Sequence, residues 1–407
     1  MSLPPDGIVT AAGNPGRFNS IAIDSLGNPH IAYRREVGSA LEYAFWDGAV
    51  WVIEGVSFAP DVGNHASLAL DSFDVPHISF YDNTDDELLY AIRTGVNTWV
   101  QEIVDTDGFV GEYSTIVIDG SNIPHIGYVG VNSILYTSKV GGAWLPNKEV
   151  VEVLNGRYSS LALDQNDAYR PHASYVDVST DELKYAKRTG VNTWALETVD
   201  TGADFINSRI DIDSNGVPHI LYFDFDNKDL KYADRIGGSW NVQTIDSNGA
   251  NFPFLGFSLD QFDFSQITYQ SDLLELKYTN NDGGAFPPNI QTLDDTADVG
   301  RFSSVFIDGL TAHIAYYDDT NDTLKYLSMP ITDNTPVASP PISGPTIKEN
   351  LNMINIGLNR SASLPIFMSL NATFGRMAFQ ESASDSILDH TDAAIKRLAE
   401  QFQFDVL

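Results

Sequence analysis

The sequence predicts an all-β fold in which one four-stranded unit is repeated seven times and the copies close into a ring. Three observations carry this. The phrase "SIAID" ending at Asp24 returns as "SLALD" at Asp71, "TIVID" at Asp119, "SLALD" at Asp164, "RIDID" at Asp213, "GFSLD" at Asp260 and "SVFID" at Asp308. Between successive copies the chain runs through the same three further phrases. The seventh copy lacks its last phrase, and an orphan stands before the first copy instead.

Each phrase has the length and alternation of a half-buried strand. The first is the "SLALD" phrase itself. A turn follows, and in "DSLGNPH", "DSFDVPH", "DGSNIPH" and "DSNGVPH" it ends on a proline that opens the second strand, where a missing N–H is tolerated. The third phrase, of the type "LKYA", keeps a tyrosine at Tyr43, Tyr90, Tyr136, Tyr185, Tyr232, Tyr278 and Tyr326. The fourth opens with Trp51, Trp99, Trp144, Trp194 and Trp240, and with Phe286 in the sixth unit. The closing aspartates stand 45 to 49 residues apart, which is the arithmetic of a propeller blade of four short strands.

The ends of the array choose a ring over a linear stack. The seventh unit stops at "LKYLS" (324–328), while "GIVTAAGNPGRFNS" (7–20) parallels "QTLDDTADVGRFSS" (291–304). Residues 7–10 are therefore expected to be the outermost strand of blade seven, closing the ring. On these phrases the chain resembles β-propeller repeat proteins over residues 6–328, with the closure used by WD-repeat propellers. It carries neither the "GH...WD" signature nor the S-x-D-x-G-x-T-W box of sialidases. The resemblance implies a fold and no activity.

Composition narrows the partners. With 55 acidic against 23 basic residues the net charge is −32, so the surface repels nucleic acid and anionic membranes. There is no cysteine, which removes disulfides and thiolate chemistry. No run of about 18 apolar residues occurs, so membrane insertion is not expected. The opening "MSLPPDGIVTAAG" shows neither a basic n-region nor an apolar h-region, and no Sec signal is read there.

Six of eight histidines share one repeat position: His30, His77, His125, His172, His219 and His313, with Gln266 in blade six. Zinc would require them to converge, and a ring spreads equivalent positions apart. Glutamine imitates imidazole as a donor and acceptor but is a poor zinc ligand, so the position reads as scaffold. Acidic loops follow the second strand in four blades, at Asp82, Asp177, Asp224 and Asp318. Their hard oxygens suit Ca²⁺, but a solvated hairpin is the preferred reading, and no cofactor or metal is expected.

Three residues before each first-strand phrase the chain approaches the channel mouth. Around the ring this position reads Arg17, Asn64, Glu112, Arg157, Ile206, Pro253 and Arg301. It is both polar and varied. Arg17, Asn64, Glu112, Arg157 and Arg301 are the candidate ligand-binding residues, the arginines lying next to Phe18, Tyr158 and Phe302 where they could meet an acidic or sugar ligand. Pairing of each arginine with a local aspartate is the competing reading. No nucleophile elbow, zincin motif or phosphate loop occurs, so no catalytic residue is nominated and the protein is read as a non-enzyme.

Three segments follow: a propeller over 1–328, a Pro/Ser/Thr-rich linker over 329–346 and a tail over 347–407. The last stretch, "SDSILDHTDAAIKRLAEQFQF", predicts an amphipathic helix whose apolar stripe includes Ile387, Leu388, Ile395, Leu398 and Phe402. That stripe is the candidate surface for a protein partner. The leading functional expectation is a propeller head displayed by its tail on an oligomer, virion or extracellular assembly. The alternative is a lectin-like, carbohydrate-binding propeller, and a propeller glycosidase or lyase ranks third.

Overall fold

A computed structural model describes residues 3–331, apart from 248, 282–285, 287–289 and 297, together with 368–370 and 377–379. Its chain divides into two units, Met1–Val337 and Ala338–Leu407. In the second, Met368–Leu370 and Met377–Phe379 pair antiparallel.

The first unit contains seven four-stranded sheets. Blade one is Pro15–Ile23, Pro29–Arg35, Ala40–Trp46 and Trp51–Ser57. Five further blades repeat that order, with first strands Val62–Leu70, Glu112–Ile118, Gly156–Asp164, Phe205–Ile212 and Ala250–Leu259. Blade seven is Val299–Asp308, Thr311–Asp318 and Thr323–Pro330, with Gly7–Thr10 paired antiparallel to the last of these. Every first strand touches the first strands of both neighbouring blades, and the seventh touches the first, so these strands surround a central channel.

The repeated residues build the blades and the walls between them. On the second strand His77 Nδ1 lies 2.6 Å from the Tyr90 hydroxyl of the third strand, and His125–Tyr136 and His172–Tyr185 repeat this at 2.6 and 2.8 Å. In blades one, two, three and five the far nitrogen approaches the aspartate that follows the first strand, as His125 Nε2 does Asp119 at 3.3 Å. Blade six reveals the polarity: Gln266 donates from Nε2 to Asp260 at 2.8 Å and accepts from the Tyr278 hydroxyl at Oε1. A neutral imidazole in the same role accepts the tyrosine hydroxyl at Nδ1 and carries its proton at Nε2, which bonds to the aspartate from His125 and is without a hydrogen-bond partner among the described residues in His77, His172, His219 and His313. Burial accordingly holds His77 and His125 below the usual histidine range, lowers His172 to about 3 and lowers His313 to about 4.

The third-strand tyrosines continue into the next blade. Tyr43 packs edge-on against Trp99, Tyr90 against Trp144, Tyr136 against Trp194 and Tyr185 against Trp240, at 5.0–5.5 Å between ring centres. Each of these indoles donates back to a glutamate of the preceding blade: Trp99 to Glu54, Trp144 to Glu102, Trp194 to Glu149 and Trp240 to Glu197. Arg93, Lys139, Arg188 and Arg235 neutralise the same four carboxylates. A second clamp joins Tyr128 to Asp105, Tyr222 to Asp200, Tyr269 to Asp246 and Tyr316 to Asp294, at 2.7–2.8 Å. The acidic fourth phrase is thus masonry between blades.

Two parts of the expected architecture need correction. No sheet is closed by hydrogen bonds: the seven sheets stay separate, and the ring is held by packing and side-chain links between blades. Gly7–Thr10 forms the outer edge of one sheet and joins no two sheets together. The expected amphipathic helix also has no counterpart among the described residues, whose only helical elements are three 3₁₀ turns. Its stripe of Ile387, Leu388, Ile395, Leu398 and Phe402 lies outside those residues.

Candidate functional site

Every first strand is bulged where it reaches the channel mouth, between residues 17 and 20, 64 and 67, 112 and 115, 157 and 160, 206 and 209, 252 and 256, and 301 and 304. A bulge turns one side chain out of the pleat. Here it places Phe18, His65, Tyr113, Tyr158, Asn207 and Phe302 in the left-handed region, with φ between 49° and 56°. Close approach of the preceding strand fixes the bend: a Cβ on Gly111 or Gly300, both at positive φ, would stand 2.9 Å from the Cα of Leu88 or Leu276 of the previous blade.

The turned-out rings form a collar. Phe18 contacts His65 at 4.8 Å and Phe302 at 4.8 Å; His65 contacts Tyr113 at 4.2 Å, and Tyr113 contacts Tyr158 at 4.7 Å. Phe254 meets Phe302 at 3.8 Å and reaches Phe18 at 6.2 Å. The position is aromatic in six blades, and that regularity was visible in the sequence one residue beyond the arginine position.

The five candidate residues lie beside this collar, but they do not form one site. Arg17 and Arg301 share Asp319, at 3.9 and 3.1 Å, and Arg17 also approaches Glu36 at 3.8 Å and the face of Tyr317. Asn64 accepts from Arg34 at 2.9 Å. Arg34, only 6% exposed and not singled out by sequence, also binds Asp61 and Glu36 and so ties blade one to blade two. Its signal was the "YRR" that replaces "FYD" at the end of the second strand. Glu112 makes no ion pair among the described residues.

Arg157 differs from the other two arginines. It is exposed, has no ion pair or hydrogen bond among the described residues, and lines a cleft of about 490 Å³ between blades four and five. Tyr158, Val178 and Ile206 supply ring and aliphatic surface, and Asp181, Asp204 and Asp226 supply carboxylates. Two of the acidic loops therefore meet the channel-mouth position here. Burial, and then the charges of Asp181, Asp226 and Asp224, raise the Asp204 carboxyl above its usual range. No group of three metal-ligating side chains is assembled among the described residues.

The fold is that of a seven-bladed β-propeller. No protein-family model matches the chain, and no curated protein matches it. Among solved structures it is similar to an ulvan lyase, described as a new family of polysaccharide lyase, bound to -[GlcA(1-4)Rha3S]-: identity is 12% and TM-score 0.57, over 80% of this chain and 94% of that one. A second ulvan lyase structure of that polysaccharide lyase family gives 13% and 0.53, over 77% and 95%. The polysaccharide lyase Uly1 gives 11% and 0.50, over 77% and 90%. At these identities the likeness is one of fold.

Proposed function

We propose that the protein is a non-enzymatic carbohydrate-binding propeller whose binding site is the cleft between blades four and five. The observation that carries this is Arg157, a guanidinium with no ion pair or hydrogen bond among the described residues, beside the Tyr158 ring in a cleft otherwise rich in carboxylates. A sugar presents an apolar C–H face and a rim of hydroxyls. Tyr158, Val178 and Ile206 match the face, while Asp181, Asp204 and Asp226 accept from hydroxyls and Arg157 donates to a ring or hydroxyl oxygen. Three carboxylates against one guanidinium select a neutral or amino sugar over a uronate or sulfated one. The buried His–Tyr pairs are committed to holding strands together, so they offer no reacting group to a ligand.

A glycan array probed with the full chain tests this. Binding to neutral or amino glycans that is lost in Arg157→Ala and Asp204→Asn supports it, and a silent array removes it. The division of the chain at residue 338 favours a second, compatible reading, in which Ala338–Leu407 tethers the propeller to a larger assembly. Light scattering decides that one: a monomeric full-length protein rejects it.

A further inference from the structure

The channel itself is unlike the rest of the molecule. Beneath the collar lies a cavity of about 150 Å³ lined by all seven first strands. In a protein of net charge −32, none of its lining residues is an aspartate or glutamate. It contains one cation, Arg209, at a repeat position that is Ser20, Ser67, Thr115, Ser160, Gly256 and Ser304 in the other blades.

Arg209 has no carboxylate partner among the described residues. One guanidinium nitrogen, Nη1, donates to Asn207 Oδ1 at 3.3 Å and to the Ser208 carbonyl at 3.1 Å, and Nε and Nη2 make no hydrogen bond there. The nearest acid along its strand, Asp211, accepts from the backbone N–H groups of Leu259 and Ile212 and does not line the cavity. Burial lowers the guanidinium to about 10, and across the channel burial and then Arg209 lower His65 to about 3. A guanidinium held at the wall of a narrow cavity, away from bulk water and without a counter-charge, is costly, and an ion from solution is the simplest remedy.

The hydroxyls of the ring point to the sign of that ion. Ser20, Ser67, Ser160 and Ser304 each accept a backbone N–H of the next blade, from Leu68, Ile116, Ile210 and Ile21, at 3.0–3.2 Å. With each oxygen occupied in this way, its proton is left to be donated, and none has a protein acceptor among the described residues. Four hydroxyl donors and a guanidinium line a cavity free of carboxylates, a setting that favours an anion over a cation.

We propose that the central channel binds a small inorganic anion, of the size of chloride or sulfate, held by Arg209 and the hydroxyls of Ser20, Ser67, Ser160 and Ser304. This site is separate from the glycan cleft and stands or falls independently of it. The test uses the full chain with chloride and bromide as probes. Crystals soaked in bromide are expected to show an anomalous peak in the channel within hydrogen-bond reach of the Arg209 guanidinium. In solution the protein is expected to broaden the chloride NMR line, an effect lost in Arg209→Ser and kept in Arg170→Ala, which removes an arginine paired with Asp167 away from the channel. Serine occupies this position in four other blades, so the variant suits the fold. A bromide-soaked crystal with no peak in the channel overturns the proposal whatever the variant does, and so does equal broadening by the parent and Arg209→Ser.

Discussion

The walls between blades and the mouth of the channel are made from the same repeat, yet they treat charge in opposite ways. In the walls each acidic residue meets a cation, an indole or a phenol: Glu54 holds Arg93 and Trp99, and Glu149 holds Arg188 and Trp194. At the mouth the repeat position carries three arginines with two fates. Arg17 and Arg301 converge on Asp319, whereas Arg157, beside three aspartates, is unpaired among the described residues. A position with one residue type in every blade marks structure, and the charge left unsatisfied at one blade is where we propose that a ligand binds.

The largest effect should come from breaking a wall. Glu54 is 1% exposed, and Glu54→Ala leaves the Arg93 guanidinium without its partner. Chemical denaturation should show a loss of about 3 kcal/mol. Glycan binding at blades four and five should survive wherever the variant is folded. A loss below about 1 kcal/mol would show that the wall charges are dispensable.

Acid should act inside the blades. His172 is lowered to about 3 and His313 to about 4, while the unfolded chain titrates near 6.5. The unfolded state therefore takes up protons first, and the stability present above pH 6.5 is lost as pH falls toward those values. At pH 5.5 each of these histidines should have cost about 1.4 kcal/mol. His172→Gln, copying Gln266, should flatten the fall of Tm between pH 7 and 5 in proportion. An unchanged slope would mean that His172 does not stay neutral.

The mouth gives the converse result. Arg157→Ala should leave denaturation unchanged within about 0.5 kcal/mol and weaken glycan binding about tenfold or more. Arg17→Ala and Arg301→Ala should leave titrated affinity unaltered, and an equal loss in all three would dissolve the distinction between them. The smallest effect belongs to Asp319→Asn. Its part-exposed pairs with Arg17 and Arg301 should be worth about 0.5 kcal/mol, readable as a small shift of the urea midpoint that salt diminishes.

The wall was legible in the sequence because packing imposes periodicity. Each "SLALD", "PHISFYD" and "LKYA" phrase became a strand in order, and Gln266 already told of a hydrogen-bonding role for its six histidine counterparts. The mouth was legible only as a position. That Arg17 and Arg301 meet at Asp319 while Arg157 does not depends on how neighbouring blades bring their loops together, which no spacing within one repeat encodes. Arg209 was hidden for the opposite reason: "RIDID" fits the strand pattern, and only a closed ring turns that side chain toward a shared cavity.

The left-handed collar has an implication for anyone reshaping this molecule. Its aromatic and polar side chains occupy a backbone region that glycine enters freely and other residues enter at a cost of about 1 kcal/mol each. Glycine at Phe18, Tyr113 or Tyr158 would relax that cost while removing a ring from the rim. A sturdier backbone and a narrower aperture are therefore competing objectives for a designer, and because the bend belongs to the bulge, each of these stations can display a different side chain without redrawing the blade.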